Sequence, residues 1–446
     1  MRKILLMFGV ILFSLMPVSA NQFSKAINSK NINSGAVSVS VKDVATGNTV
    51  YTLNERVPRN PASTLKLITS FASYNTLGDD YKFSTKLYKT AKNDLYLKLG
   101  ADPLLTSGDL NLLMKMAADK KIIEPKYFYI DDTIFDDVEW GEGWQWDDDL
   151  NPLMPKFSAY NIDGNLLNIE ITPQGKHRSP SIQVKPYYPL TFMNMIEVKE
   201  GSGVKLARNN SIAPNILNAT GTVSSQTKLK IPVNNVKLYF NLRLEDAIKS
   251  AKIDYYKNFY KGKVPTNSYL VGGITHSIEN IMFATLKDSN NLCAESLFKV
   301  AGAVYSGDIG TSDNSLNMLN DYLKSLELNT SDIKIVDGSG VSKNNLVTSD
   351  FMVNYLVKIA KDQNFEDLKK YFAVPGEGTL VNRMLYLKNN LWAKTGTLSD
   401  VSAMAGYIKS RSGKLYAFDI MIQSAKTSSA DKKNIEEQIL RVLYAN

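Results

Sequence analysis

"LWAKTGTLSD", residues 391–400, is a short apolar run carrying the chain's only Lys-Thr-Gly, Lys394-Thr395-Gly396. It reads as a strand closing on a glycine turn, and the glycine would let a substrate backbone lie close to that strand. Two further strand-like runs follow, "MAGYIK" (404–409) and "LYAFDIMI" (415–422), joined through "SRSG" as in a hairpin. A closing helix then places Ile435, Ile439, Val442 and Leu443 at helical spacing. Near the other end, "GAVSVSVKDVATGNTVYTL" (35–53) alternates around Thr46-Gly47-Asn48 and reads as a second hairpin. Strands at both ends with helices between them predict one α/β (α+β) sandwich.

Something interrupts that sandwich. From 87 to 270 the texture is short strands and turns, "DLYLKLG", "KYFYID", "NLLNIEI", "SIQVKP", "KLKIPV" and "VKLYFNL", with Trp140, Trp144 and Trp146 among them. The expected organisation is a frame of 21–86 plus 271–446 with an inserted β-rich module over 87–270. A helix is expected from about Ala62 to Tyr74. Helices return near His276, with Ile278, Ile281, Met282 and Leu286 on one stripe and Leu297, Val300 and Val304 on the next. Between these stripes lies the polar break "KDSNN" (287–291), which holds Ser289-Asn290-Asn291.

The bulk chemistry narrows the function. A chain of 446 residues has room for two or more domains. Its net charge of +8 is spread without a Lys/Arg block, which argues for an anionic surface or polymer and against sequence-specific nucleic-acid binding. "MRKILLMFGVILFSLMPVSAN" pairs Arg2 and Lys3 with an apolar run and small residues up to Ala20, the pattern of a secretory signal peptide over 1–20 and hence of export to the periplasm. Cys293 is the only cysteine, so no internal disulfide can form, and it is expected to be a buried small apolar residue. The two histidines, His177 and His276, belong to no metal-ligand cluster, which makes zinc hydrolase and Ser-His-Asp chemistry poor fits. A hydrolase built on this chain needs a base other than imidazole.

"NPASTLKLITS" (60–70) offers one, since Ser63 and Lys66 stand three positions apart after Pro61. The spacing alone decides nothing: an ordinary helix start gives it too, and it recurs at Ser225–Lys228 and Ser331–Lys334. Ser-x-Asn is equally cheap, with a second copy at Ser312-Asp313-Asn314. The order of the three patterns, each in its own structural context, is not cheap. Ser-x-x-Lys, Ser-x-Asn and Lys-Thr-Gly together resemble the signature of serine penicillin-binding proteins and β-lactamases. Over two hundred residues separate Lys66 from Ser289. That insertion, with "GADPLLT", "GWQWDDD", "SNNLCAE", "DGSGVSKNNLVT" and "GEGTLVNR", resembles the D-alanyl-D-alanine carboxypeptidase/endopeptidase family typified by penicillin-binding protein 4, peptidase family S13.

The resemblance implies a penicillin-binding/β-lactamase-like domain, an antiparallel sheet flanked by helices plus a helical subdomain, carrying a large β-rich insertion. It implies Ser63 as nucleophile, Lys66 as its base, Ser289, Asn291 and Lys394 as catalytic partners, and Thr395, Gly396 and Thr397 lining the substrate. The backbone N–H groups of Ser63 and Thr397 would form an oxyanion hole. Asp148 and Phe157 align with the family's substrate-pocket acid and aromatic. A lysine base must be substantially neutral, which requires desolvation or a nearby second cation, and Lys394 would be that cation. The implied partners are peptidoglycan stem peptides, cross-linked muropeptides and, as covalent inhibitors, β-lactams; no metal or organic cofactor is implied. Departures are Asn290 where the family commonly has Asp, Lys343 where it often has Arg, and Ser399 where some members have Gln. A β-lactamase and a catalytically idle peptidoglycan-binding protein are the rival readings. The basic surface leaves peripheral membrane contact open, and the sequence fits a monomer or a homodimer.

Overall fold

A computed structural model describes residues 20–28, 32–175, 178–201, 203–209, 213–256 and 258–446. The expected signal peptide lies outside the described residues except for Ala20, and so does His177.

The two hairpins read from the sequence meet in one five-stranded sheet. Its order is Leu391–Thr397, Val401–Lys409, Leu415–Gln423, Val37–Asp43, Thr49–Leu53, antiparallel throughout. Pairing of Val37–Asp43 with Leu415–Gln423 joins the start of the chain to its end. Successive side chains on a strand point to opposite faces. Val37, Val39 and Val41, with Phe418, Ile420 and Ile422, therefore bury against helices Ala20–Asn28 and Ser429–Ala445 through Phe23, Ile27, Ile435 and Ile439. On the opposite face Ala405, Tyr407 and Ala417 meet a helical subdomain.

The helix Lys66–Leu77 is the axis of that subdomain, buried all round from Lys66 to Ser73. Helices Ile278–Leu286, Asn291–Ser306 and Ser349–Ile359 pack their apolar stripes about it. The α-helix starts later than expected. Ala62–Leu65 is a 3₁₀ turn, tied down where Asn60 Oδ1 accepts the Ala62 N–H at 2.8 Å, and Ala62 takes a left-handed φ of 46°. The cause is tertiary: the turn is wedged between Gly340 and Gly396, where any Cβ would strike Ala62 O at 2.0 Å or Ser63 N at 2.9 Å.

One buried carboxylate in this frame has no hydrogen-bond partner among the described residues. Asp419, on the central strand, is fully buried, and neither carboxylate oxygen accepts a hydrogen bond. Burial pushes its pKa up to about 8, only partly offset by the neighbouring Ser349. An acid whose folded pKa lies above its unfolded value of 3.8 favours the folded state while protonated. Its contribution is therefore lost progressively as pH rises from about 4 to about 8. Asp419→Asn is expected to raise stability at pH 8 by more than about 1 kcal/mol and to flatten the decline between pH 5 and 8, read from urea denaturation at each pH. An unchanged pH dependence would assign that decline to other groups.

The stretch between the frame's two parts builds on a second five-stranded sheet, ordered Phe259–Lys261, Phe128–Asp131, Leu95–Lys98, Lys82–Lys89, Tyr269–Ser277. Lys82–Lys89 and Tyr269–Ser277 pair antiparallel from Lys82↔Ser277 onward, so positions 87 and 270 fall inside two partnered strands. Two three-stranded sheets follow, with helices Ser107–Asp119 and Val236–Ser250. "VKLYFNL", expected as a strand, is the start of the second helix. Asn235 caps it by accepting the Leu238 N–H at 2.8 Å. Val236, Tyr239, Phe240, Arg243, Leu244 and Ala247 then bury at a period of 3.6. A seven-residue window was too short to show that period.

Candidate active site

Ser63 sits in the 3₁₀ turn and Lys66 begins the helix behind it, with Lys66 Nζ 3.0 Å from Ser63 Oγ. Lys66 is fully buried, and its amine also reaches Asn291 Oδ1 at 2.6 Å and the Ser339 carbonyl at 2.6 Å. Asn291 is held in this orientation because its Nδ2 donates to Leu153 O at 2.7 Å. Both fixed partners are pure acceptors. A neutral amine has two hydrogens to give them, so its lone pair is left for the Ser63 hydroxyl. That is the geometry of a base aimed at a nucleophile.

The proton affinity of Lys66 follows from the same surroundings. Burial lowers its pKa to about 8, against the pull of Asp337 and Glu295, which favour the ammonium. Lys394, also fully buried, is lowered well below its ordinary value, first by burial and then by the charge of Lys66. Of the two causes that could make the base neutral, desolvation and a second cation, desolvation dominates at both amines. The two lysines are nevertheless brought together, from residues 66 and 394 of the chain.

Lys394 Nζ donates to Ser289 Oγ at 2.7 Å and to Thr395 O at 2.8 Å. Ser289 holds a left-handed φ of 61° between helices Ile278–Leu286 and Asn291–Ser306, while Asn290 caps the second helix by accepting the Cys293 N–H at 3.0 Å. Non-glycine residues in that region cost of order 1–3 kcal/mol and persist where surrounding structure imposes them. The copy at Ser312-Asp313-Asn314 is an ordinary helix start capped by Thr311. Leu391–Thr397 is an edge strand of the main sheet, with Gly396 against the Ser63 turn and Thr397 exposed. On the outer side of this strand the Ala393 N–H is bridged to Ala373 O at 2.9 Å, and the edge beyond it lies beside the Ser63 turn, a place where an extended peptide can add to a sheet.

The model for the D-Ala-D-Ala carboxypeptidase 3 (S13) family matches residues 19–445. The chain belongs to that family. It is 29% identical over 420 residues to a D-alanyl-D-alanine carboxypeptidase of Actinomadura sp. (strain R39), covering 87% of this chain and 78% of the relative. It is 24% identical over 397 residues to a D-alanyl-D-alanine carboxypeptidase of Haemophilus influenzae, covering 83% and 82%. Penicillin binding protein 4 of H. influenzae has the same fold, with a TM-score of 0.84 at 22% identity over 96% of this chain and 99% of that one. More distantly, a penicillin G-acylated predatory endopeptidase of Bdellovibrio bacteriovorus aligns with a TM-score of 0.52 at 17% identity, covering 91% of each chain.

Other residues of this S13 chain fall in less uniform places. Asp148 is partly buried and feels the charge of Lys343, and burial raises its pKa. Phe157 is only 2% exposed and packs edge-on to Trp144 at 5.8 Å, so it lies in a small core with Met154, Leu292 and Val341. Cys293 is buried, and burial pushes its thiol far above the ordinary range, which makes it inert.

Three groups missed as site residues stand next to those found. Thr379 Oγ1 accepts the Thr395 hydroxyl at 2.8 Å. Asp337 accepts Trp144 Nε1 at 3.0 Å together with the N–H groups of Gly340 and Ser342. Glu295, 3% exposed, accepts the N–H groups of Gly338 at 3.1 Å and Ser339 at 2.8 Å, fixing the loop whose Ser339 carbonyl receives Lys66. Burial and then the charge of Asp337 push Glu295 up to about 7. All three lie in stretches quoted above, "GEGTLVNR", "DGSGVSKNNLVT" and "SNNLCAE". Only proximity in space separates them from the rest of those strings.

Proposed function

We propose that this protein is a periplasmic serine DD-peptidase that removes the terminal D-Ala from peptidoglycan stem peptides and cleaves D-Ala–diaminopimelate cross-links. The observation that carries the reading is the buried Lys66 amine, saturated by two acceptors and directed at Ser63 Oγ. Ser63 Oγ attacks the carbonyl carbon of the penultimate D-Ala while its proton passes to Lys66. The oxyanion is stabilised by the N–H groups of Ser63 and Thr397, each such donor being worth about 2.7–4 kcal/mol to the transition state. The C–N bond breaks as the Lys66 ammonium gives up that proton, relayed through the hydroxyl of Ser289 in contact with Lys394, to the departing amine, which leaves Lys66 neutral and Ser289 unchanged. Water then attacks the acyl-enzyme and gives a proton to neutral Lys66, and as the ester C–O bond breaks Lys66 returns that proton to Ser63 Oγ, releasing the shortened peptide and free Ser63.

The substrate's terminal carboxylate meets Lys394, Thr395 and the exposed edge at Thr397. Asp148 and Lys343 suit the charged end of a diaminopimelate side chain, and Phe157 acts through Trp144. Residues 21–86 and 271–446 form the catalytic frame, with 87–270 as its insert. β-Lactams present a strained amide in the place of D-Ala-D-Ala and acylate Ser63; a structural relative acylated by penicillin G supports this.

The test incubates purified protein with a pentapeptide ending in D-Ala-D-Ala, with cross-linked muropeptides and with a fluorescent penicillin. Release of D-alanine, conversion of dimers to monomers and a label on the Ser63 peptide by mass spectrometry are expected. Slow β-lactam turnover with neither peptide cut would indicate a β-lactamase, and no label at all would indicate an idle binding protein.

Glu295 gives a second measurable consequence. Glu295→Gln turns one of its two acceptors into a donor facing a backbone N–H, a mismatch worth about 1–3 kcal/mol. It also removes a charge that favours the Lys66 ammonium. The pH dependence of penicillin acylation is expected to move its acid limb to lower pH while the plateau rate falls about tenfold. An equal fall at every pH, with the limb in place, would reduce Glu295 to a brace for the loop.

A further inference from the structure

The outer face of the insert's five-stranded sheet carries an in-register row of large side chains. Tyr260 pairs with Tyr129, Tyr129 with Tyr96, Tyr96 with Tyr88 and Tyr88 with Leu270, one residue from each strand. The alternate positions, among them Phe128, Leu97 and Leu87, fill the insert's core. Tyr96 and Tyr129 stack at 4.5 Å and 10°, and Tyr127 meets Tyr129, Tyr260 and Tyr256 at 6.2, 5.7 and 6.1 Å. The row is not covered. Tyr256 is 68% exposed, Leu270 57% and Tyr260 39%.

Cross-strand aromatic pairs stabilise a sheet by roughly 0.2–1 kcal/mol each, which accounts for the stacked centre of the row but not for its exposed ends. Two neighbouring features point outward. Lys86 and Lys98 stand directly opposite one another on the same face, two residues along from Tyr88 and Tyr96. Like charges so placed cost stability, and among the described residues neither makes an ion pair. Asp131, across from Lys98, is already occupied by Thr133 and the Val264 N–H. At the far end a cavity of about 370 Å³ opens between Glu124, Lys126, Asp254 and Tyr256, a volume typical of small-molecule sites.

We infer that this face is a docking site, separate from Ser63, for the glycan strand of peptidoglycan, a polymer of N-acetylated amino sugars whose peptide branches carry carboxylates. The inference rests on the proposed function. The sugar rings offer apolar faces to the tyrosines. Their hydroxyls meet the Glu124 and Asp254 carboxylates in the cavity. The peptide carboxylates neutralise Lys86, Lys98 and Lys126. The insert thereby holds the polymer while the catalytic frame works on its branches.

The experiment measures co-sedimentation with purified insoluble peptidoglycan, the nucleophile being blocked with penicillin. Tyr256→Ser/Tyr260→Ser and, independently, Lys86→Ser/Lys98→Ser are each expected to weaken binding at least about fivefold, while Tyr260→Phe binds as the unaltered protein does. Hydrolysis of a soluble pentapeptide by both double variants should stay within about twofold. Unchanged sedimentation of the lysine variant overturns the inference. So does loss of binding only to phosphatidylglycerol vesicles, or of a dimer seen by light scattering, with sedimentation intact. Failure of the unaltered protein to cut the pentapeptide would strike the proposed function instead, and the sedimentation result would still stand.

Discussion

Ser63→Ala is expected to abolish both penicillin labelling and D-alanine release, with a fall in kcat on the order of 10⁶-fold, the scale seen when a serine hydrolase loses its nucleophile. The change removes one oxygen from a partly exposed turn whose conformation is set by Asn60, Gly340 and Gly396, so the fold should survive. The thermal midpoint should stay within a few degrees, and non-covalent binding of a D-Ala-D-Ala peptide should persist. Retention of even one-hundredth of the activity in a folded variant would mean that another group attacks the carbonyl. No second serine hydroxyl hydrogen-bonds to the Lys66 amine among the described residues, Ser339 meeting it only through its backbone carbonyl, so such a result would remove the proposed mechanism altogether.

Lys66→Met is the second large effect. The substitution keeps an unbranched chain of similar length but removes the base, and general-base catalysis typically contributes 10²–10⁴-fold. A loss of that size is expected in the rate of acylation by a fluorescent penicillin. The pH dependence carries the sharper signature. The reactive form of Lys66 is the neutral amine, so acylation by the unaltered protein should rise with pH and level off above about 8. That rise should vanish in the variant. A less than tenfold loss, or a limb that persists without Lys66, would assign the proton transfer to another residue. Lys394 is the alternative, since it too is buried and lowered.

Much of the frame was legible because its signals are local. The period of two in 35–53 and 415–422 became strands of one sheet, and the stripes around 278–300 became helices at the expected places. Where the reading slipped, a short window or a tertiary contact was responsible. "VKLYFNL" looked like a strand until eight more residues showed its helical period. The Ser63 turn looked helical because nothing near it in sequence announces the glycines at 340 and 396 that shape it. Glu295, Asp337 and Thr379 went unassigned for the same reason, although each lay inside a quoted stretch.

By itself the sequence determined which side chains are available, in what order along the chain, and on which face of a helix or strand each lies. Those properties depend on neighbours within a few positions. Only the tertiary structure decided that Lys66 is dehydrated beside Ser63, that Lys394 touches Ser289, and that burial, more than a second ammonium, sets the base's proton affinity. Proton affinity is a property of the surrounding dielectric and of charges through space. Here the groups that contact the Lys66 amine come from residues 63, 291 and 339 and the charges that act on it from 295 and 337, a grouping that exists only once the chain has closed on itself.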